Sequence, residues 1–150
     1  MLKFIDKQLL ELEEKLDDMI RKSPAWREAE ELLTSIPGVG NVTARTMLAE
    51  VPELGKIGRQ QLASLIGVAP MNNDSGKHRG QRHIRGGRGS VRAALYMAAL
   101  CAIRFNPALK QYYERLKSTG KNFKMTITAC MRKLLIVMNS VMKNKTPFVA

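Results

Sequence analysis

Acidic residues are scarce over most of this 150-residue chain. Beyond residue 31 there are only four, Glu50, Glu53, Asp74 and Glu114, and none occurs from Ser75 through Tyr113. Cysteine is nearly absent too. Cys101 and Cys130 both fall in apolar helical patterns and read as buried thiols of a reducing compartment, not as a disulfide framework. His78 and His83 are the only histidines, and no cluster of cysteines or acids joins them to complete a metal site. No uninterrupted apolar run is long enough to span a bilayer and no signal-peptide pattern is present, so a cytoplasmic chain without a membrane partner is expected. Strand-like alternation is missing as well, and the fold class that remains is all-α.

What is present is positive charge. The formal net charge is +12 with a pI near 10, which calls for a polyanionic partner. Residues 1–31 hold nine acids against six bases, so the other 119 residues carry +15. The acidic end therefore has a task other than touching nucleic acid. There Leu2, Ile5, Leu9, Leu12, Leu16 and Met19 follow a 3-4-3-4-3 spacing, the seam of a heptad helix. It reads either as an amphipathic helix lying on its own domain or as half of a coiled coil. It starts in register at Met1 with no capping signal, as a piece of a longer helix would.

Ser23-Pro24 breaks this helix and caps the next, about Ala25 to Thr34. Ser35-Ile36-Pro37-Gly38-Val39-Gly40 then leads into a third helix, about Asn41 to Val51. This unit resembles a helix-hairpin-helix. Gly38 and Gly40 permit a tight turn whose amides can face a phosphate, and Ala44 is small enough for close helix packing. Backbone amides contact the phosphate chain and not the bases, so such binding is sequence-independent. A plain αα-hairpin with a Gly-rich turn is the alternative.

A short helix, about Arg59 to Ile66, precedes the segment on which the chain is centred, Gly67 to Arg92. It mixes Gly76, Gly80, Gly86, Gly87 and Gly89 with Lys77, Arg79, Arg82, Arg85, Arg88 and Arg92. So polar a segment cannot bury enough apolar surface to fold alone, and its cations suit phosphates. Mobility without nucleic acid is expected there. One hydroxyl stands in it, Ser75, between Asp74 and Gly76; as a sequence pattern, Asp-Ser-Gly is first of all a turn. Ser90 is expected to cap an alanine-rich central helix that includes Tyr96 in its core. Asn106-Pro107 opens a helix to about Thr119, closed by Gly120, and a last helix runs from about Phe123 to Lys143. Tyr112, Tyr113, Met131, Met138 and Met142 read as packing residues.

The order Ile36–Gly40, Gly67-Val68-Ala69-Pro70, Asn73-Asp74-Ser75-Gly76, Arg85-Gly86-Gly87-Arg88 and Arg92–Ala98, with Phe105-Asn106-Pro107 and Ala129–Leu135 behind it, carries a family resemblance. Over roughly residues 30 to 148 the chain resembles the C-terminal domain of bacterial insertion-sequence transposases whose N-terminal half is a RuvC-like domain with a DEDD metal site. The resemblance implies that Ser75 corresponds to a nucleophile that joins covalently to DNA, and that DNA recombination is performed by a multimer guided by a structured RNA. Residues 1–22 then match the end of a coiled-coil link, with homo-oligomerisation through that helix, and 23–150 the helical domain. The four acids beyond residue 31 form no DEDD set, so Mg²⁺ is expected in an N-terminal half and this chain by itself is expected not to cleave. Lys77, Arg79, Arg82, Arg85, Arg88 and Arg92, with Gly38 and Gly40, are the expected nucleic-acid contacts. Asp74, His78 or a metal-bound group could accept the serine proton. A non-catalytic module that holds DNA or RNA for a partner is the competing reading, and a coiled-coil assembly domain, which leaves the +15 unexplained, a third.

Overall fold

The computed structural model describes residues 1–69 and 88–149, with the backbone of 74–75 and 78–79. Among the described residues the chain forms seven α-helices: α1 Leu2–Lys22, α2 Pro24–Thr34, α3 Asn41–Glu50, α4 Arg59–Ile66, α5 Gly89–Phe105, α6 Pro107–Ser118 and α7 Phe123–Asn144. The two-residue strands β1 Asp74–Ser75 and β2 His78–Arg79 form an antiparallel ladder that pairs Asp74 with Arg79 and Ser75 with His78. Apart from that ladder the architecture is the expected all-α one. The expected mobility around Ser75, and the side chains of Ser75, Lys77, Arg79, Arg82 and Arg85, lie outside the described residues.

Local chemistry explains most helix ends. Ser23 caps α2 by accepting a long 3.5 Å bond from the Trp26 amide, with Pro24 in the first helical position. Asn106 and Asn122 cap α6 and α7, accepting from the amides of Leu109 and Met125. Gly67 ends α4 in the left-handed region. The start of α5 differs from expectation. The residue before its first turn is Arg88, and Ser90 lies inside the helix with its hydroxyl turned to the Glu50 carboxylate at 2.7 Å.

The core is organised on α5 and α7, which pack on each other and on α6, with α3 against α5, α4 and α2 against α7. Val91, Leu95, Ala98, Ala99 and Ala102 make the buried stripe of α5, and its three alanines let neighbouring backbones come close. Two residues expected inside lie off that stripe, one on each side: Tyr96 is 38% exposed, and Cys101 is exposed, whereas Cys130 is fully buried. Tyr112, Tyr113 and Met142 are half-buried against the core, and Met131 and Met138 are buried within it. By length and composition α7 could cross a membrane, but half of its apolar stretch is buried in this core.

α1 does not lie on the domain. It packs against α2 through its C-terminal end, where Ile20 is buried, while Leu2, Ile5, Leu9, Leu12, Leu16 and Met19 are all exposed. Its angle is set by Arg45 of α3, whose Nη2 is 2.6 Å from Asp17 of α1 and whose Nε is 3.2 Å from Glu30 of α2.

Candidate nucleic-acid interface

The turn between α2 and α3 is built from inside outward. Ile36 and Val39 are buried and plug it into the core, and the Val39 amide closes it on the Ile36 carbonyl at 3.0 Å. Gly38, at φ +101°, sits where only glycine fits. A Cβ there would lie 2.6 Å from the Cα and Cβ of Ala102 on α5. Buried Asn106 ties the same turn to the α5–α6 corner by donating from Nδ2 to the Pro37 carbonyl at 3.3 Å. Ala44 is fully buried, which lets α3 approach its neighbours as its size suggested.

Gly40 plays a different part. Its φ is −94° and a Cβ would meet nothing within 4 Å, so neither strain nor packing requires glycine. It stands at the N-cap of α3 with no side-chain cap, next to exposed Asn41 and Val42. The first-turn amides of α3 thus open to solvent at the positive end of a helix dipole, an arrangement suited to an anion. Gly38 holds the turn in the body and Gly40 leaves its outer edge clear.

The basic segment enters after α4 and leaves into α5. At its exit Arg88 is gripped by the α3–α4 connector. Its guanidinium forms two parallel bonds to Glu53, 3.0 and 2.9 Å, and a third to the Glu50 carbonyl at 2.6 Å. The hydrogen bond from Arg88 holds the Glu53 carboxyl below its ordinary range, and the Glu53 carboxylate holds the guanidinium above its own. Arg45 is also raised: partial burial pulls it down, but the bond to Asp17 and the charges of Glu30 and Asp17 outweigh that.

The structure therefore separates the expected contacts. Gly38 is a packing residue and Gly40 an open edge. Arg88 has a carboxylate partner, Arg92 stands one turn into α5 behind it, and Lys77, Arg79, Arg82 and Arg85 lie on undescribed side chains. The role of Glu50 and Glu53 as anchors of this exit was not foreseen. Its sequence signal is that two of the four acids beyond residue 31 stand three residues apart in a strongly basic chain. Among the described residues no three His, Cys, Asp or Glu side chains come together as a metal site, and Glu50 and Glu53 are taken up by Ser90 and Arg88. The Mg²⁺ expected of the family finds no fitting donor set in those residues.

Residues 30–114 match a sequence model of the transposase IS116/IS110/IS902 family. The chain is 29% identical over 144 residues to the pilin gene-inverting protein of Moraxella bovis, which takes in 93% of this chain and 45% of the relative. It is 30% identical over 117 residues to the 43.6 kDa protein of insertion element IS110 from Streptomyces coelicolor, covering 77% of this chain and 29% of the relative. With the 42 kDa protein of insertion element IS900 from Mycobacterium paratuberculosis it shares 30% over 132 residues, or 85% and 33%. The chain spans less than half the length of these relatives.

Proposed function

Because the chain belongs to the IS116/IS110/IS902 transposase family, we propose that it is the nucleic-acid-binding and nucleophile-bearing part of a DNA recombinase. The observation that carries the binding half of this reading is the α2–α3 turn. Its anchored Gly38 and unobstructed Gly40 edge suit a helix-hairpin-helix that receives a phosphate on backbone amides. A chain with +15 beyond residue 31 supplies the long-range attraction.

In the proposed chemistry the Ser75 Oγ attacks phosphorus, its proton passing to a base, and the bond from phosphorus to the departing sugar oxygen breaks. That oxygen takes up a proton and leaves as a hydroxyl, while the phosphate stays esterified to the serine. A serine hydroxyl needs a base and a nearby cation for this step. The register that pairs Ser75 with His78, and Asp74 with Arg79, supports this reading, since both residue types stand beside the serine in one short ladder. Arg79, Arg82 and Arg85 are the cations proposed to hold the phosphate, with Lys77. This chain alone binds and does not cut in this reading, and a structured guide RNA is a proposed second partner. α1, with its exposed seam, is proposed as part of a coiled coil joining copies of the chain.

Anisotropy of a labelled DNA duplex titrated with the chain tests the binding reading. Replacing Arg79, Arg82 and Arg85 by Gln is expected to lower affinity for all sequences alike and to flatten its salt dependence, each phosphate contact contributing about one unit of slope. Ser75→Ala is expected to bind like the wild type. Tight binding unchanged by the triple substitution would remove the basic segment from the interface.

A further inference from the structure

A groove of about 310 Å³ runs between α4 and α7 and carries two arginines that the reading above leaves unused. Arg59, Gln60 and Ser64 line it from α4, Arg132 and Ile136 from α7, with buried Ala63 between them. Gln60 and Ser64 are one helical turn apart, as are Arg132 and Ile136, so each helix presents one face to the groove. Ala69, near the start of the Gly67–Arg92 segment, lines the same groove.

The two arginines differ in pairing from Arg45 and Arg88. Arg45 is engaged by Asp17 and Glu30, and Arg88 by Glu53. Among the described residues neither Arg59 nor Arg132 has a carboxylate or any hydrogen-bond partner, and both are exposed. Two unpaired guanidinium groups lining one groove concentrate positive charge there, which suits an anion.

The groove is also held in shape. Buried Asn139 of α7 accepts from the Gly55 amide at 2.6 Å and donates to the Ile57 carbonyl at 3.1 Å, two residues before α4 begins. Gly55, at φ +83°, lies on the α7 backbone so closely that a Cβ would be 3.0 Å from the Lys143 nitrogen. The two walls are thus fixed by a satisfied buried amide before any ligand arrives.

We propose that this groove binds the phosphodiester backbone of DNA and extends the interface beyond the hairpin and the basic segment. Guanidinium groups and the Gln60 and Ser64 side chains suit phosphate and sugar oxygens. Among the described residues no aromatic side chain lines the groove, so base stacking is not offered by them, and their contact is independent of sequence. DNA is the assigned ligand because the proposal rests on the recombinase reading of the family.

The test uses this 150-residue chain, a labelled DNA duplex and an RNA duplex of equal length, each titrated over a range of salt. Arg59→Gln with Arg132→Gln is expected to weaken DNA binding about tenfold and to lower the salt slope by about 2. Lys3→Gln with Lys7→Gln removes the same charge from α1 and is expected to change affinity far less. Ser64→Glu, which leaves both arginines in place, is expected to weaken binding as well, while Arg59→Lys with Arg132→Lys keeps most of the slope. Helical content and melting of each variant are followed by circular dichroism. If the groove pair and the α1 pair behave alike, the groove is overturned while the hairpin reading stands. A loss confined to RNA overturns the assignment to DNA. A wild-type chain that binds neither duplex overturns both readings.

Discussion

Two glycines two residues apart are expected to respond oppositely to the same change. Gly38→Ala places a Cβ against the α5 backbone at a positive φ, and a loss of about 2–4 kcal/mol in denaturant unfolding is expected. Gly40→Ala meets open space at an ordinary φ, so only the weaker N-cap preference of alanine counts, about 0.5–1 kcal/mol. Its effect belongs instead on DNA affinity, because the added methyl stands at the open edge of the turn. The two thiols separate in the same way. Burial pushes the Cys130 thiol up to about 11, although Lys133 pulls it back, while Cys101 is exposed. Iodoacetamide at pH 8 is expected to label one thiol of the native chain, Cys101, and both after unfolding; labelling of both in the native chain would contradict the burial of Cys130.

At the scale of elements, the grip on Arg88 ties the start of α5 to the connector after α3. Glu53 has its carboxyl held below the ordinary value of about 4.3, so its contribution is fully present above that value and is lost as pH falls through the lowered one. Melting temperature is therefore expected to drop more steeply below pH 4 in the wild type than in Glu53→Gln, and identical profiles would exclude the pair as a contributor. For α1, Leu9→Glu with Leu12→Glu is expected to leave melting of the body within about 0.5 kcal/mol, because both side chains are exposed, while light scattering reports a lighter species. An unchanged mass would count against a joining role for the seam. Most helices were legible in advance for local reasons: Ser23-Pro24, Asn106-Pro107 and Gly67 are signals that need no tertiary context. The start of α5 was not legible, because whether Ser90 caps or turns to Glu50 is decided by a contact 40 residues away. Tyr96 and Cys101 were misplaced because an alanine-rich helix shows no clear polar side, so its buried face depends on what packs on it.

For the molecule as a whole, the order of motifs pointed to the family, and the family match over residues 30–114 agrees, while the charge distribution pointed to the polyanionic partner proposed above. The shape of the interface was less legible. Gly38 and Gly40 look alike in sequence, and only the approach of α5 tells the packing residue from the open one. Arg59 and Arg132 are 73 positions apart, and no local pattern relates them until Asn139 seats α4 on α7. The central claim is that this chain carries a serine that attacks DNA, and covalent capture tests it most directly. The chain is joined to the metal-bearing half proposed for the family, supplied with Mg²⁺, element-end DNA and element RNA, and run on a denaturing gel. The expected result is a protein–DNA adduct for the wild type that disappears in Ser75→Ala while DNA binding persists. An adduct that survives Ser75→Ala, or a wild type that binds and cuts without ever forming one, would contradict it.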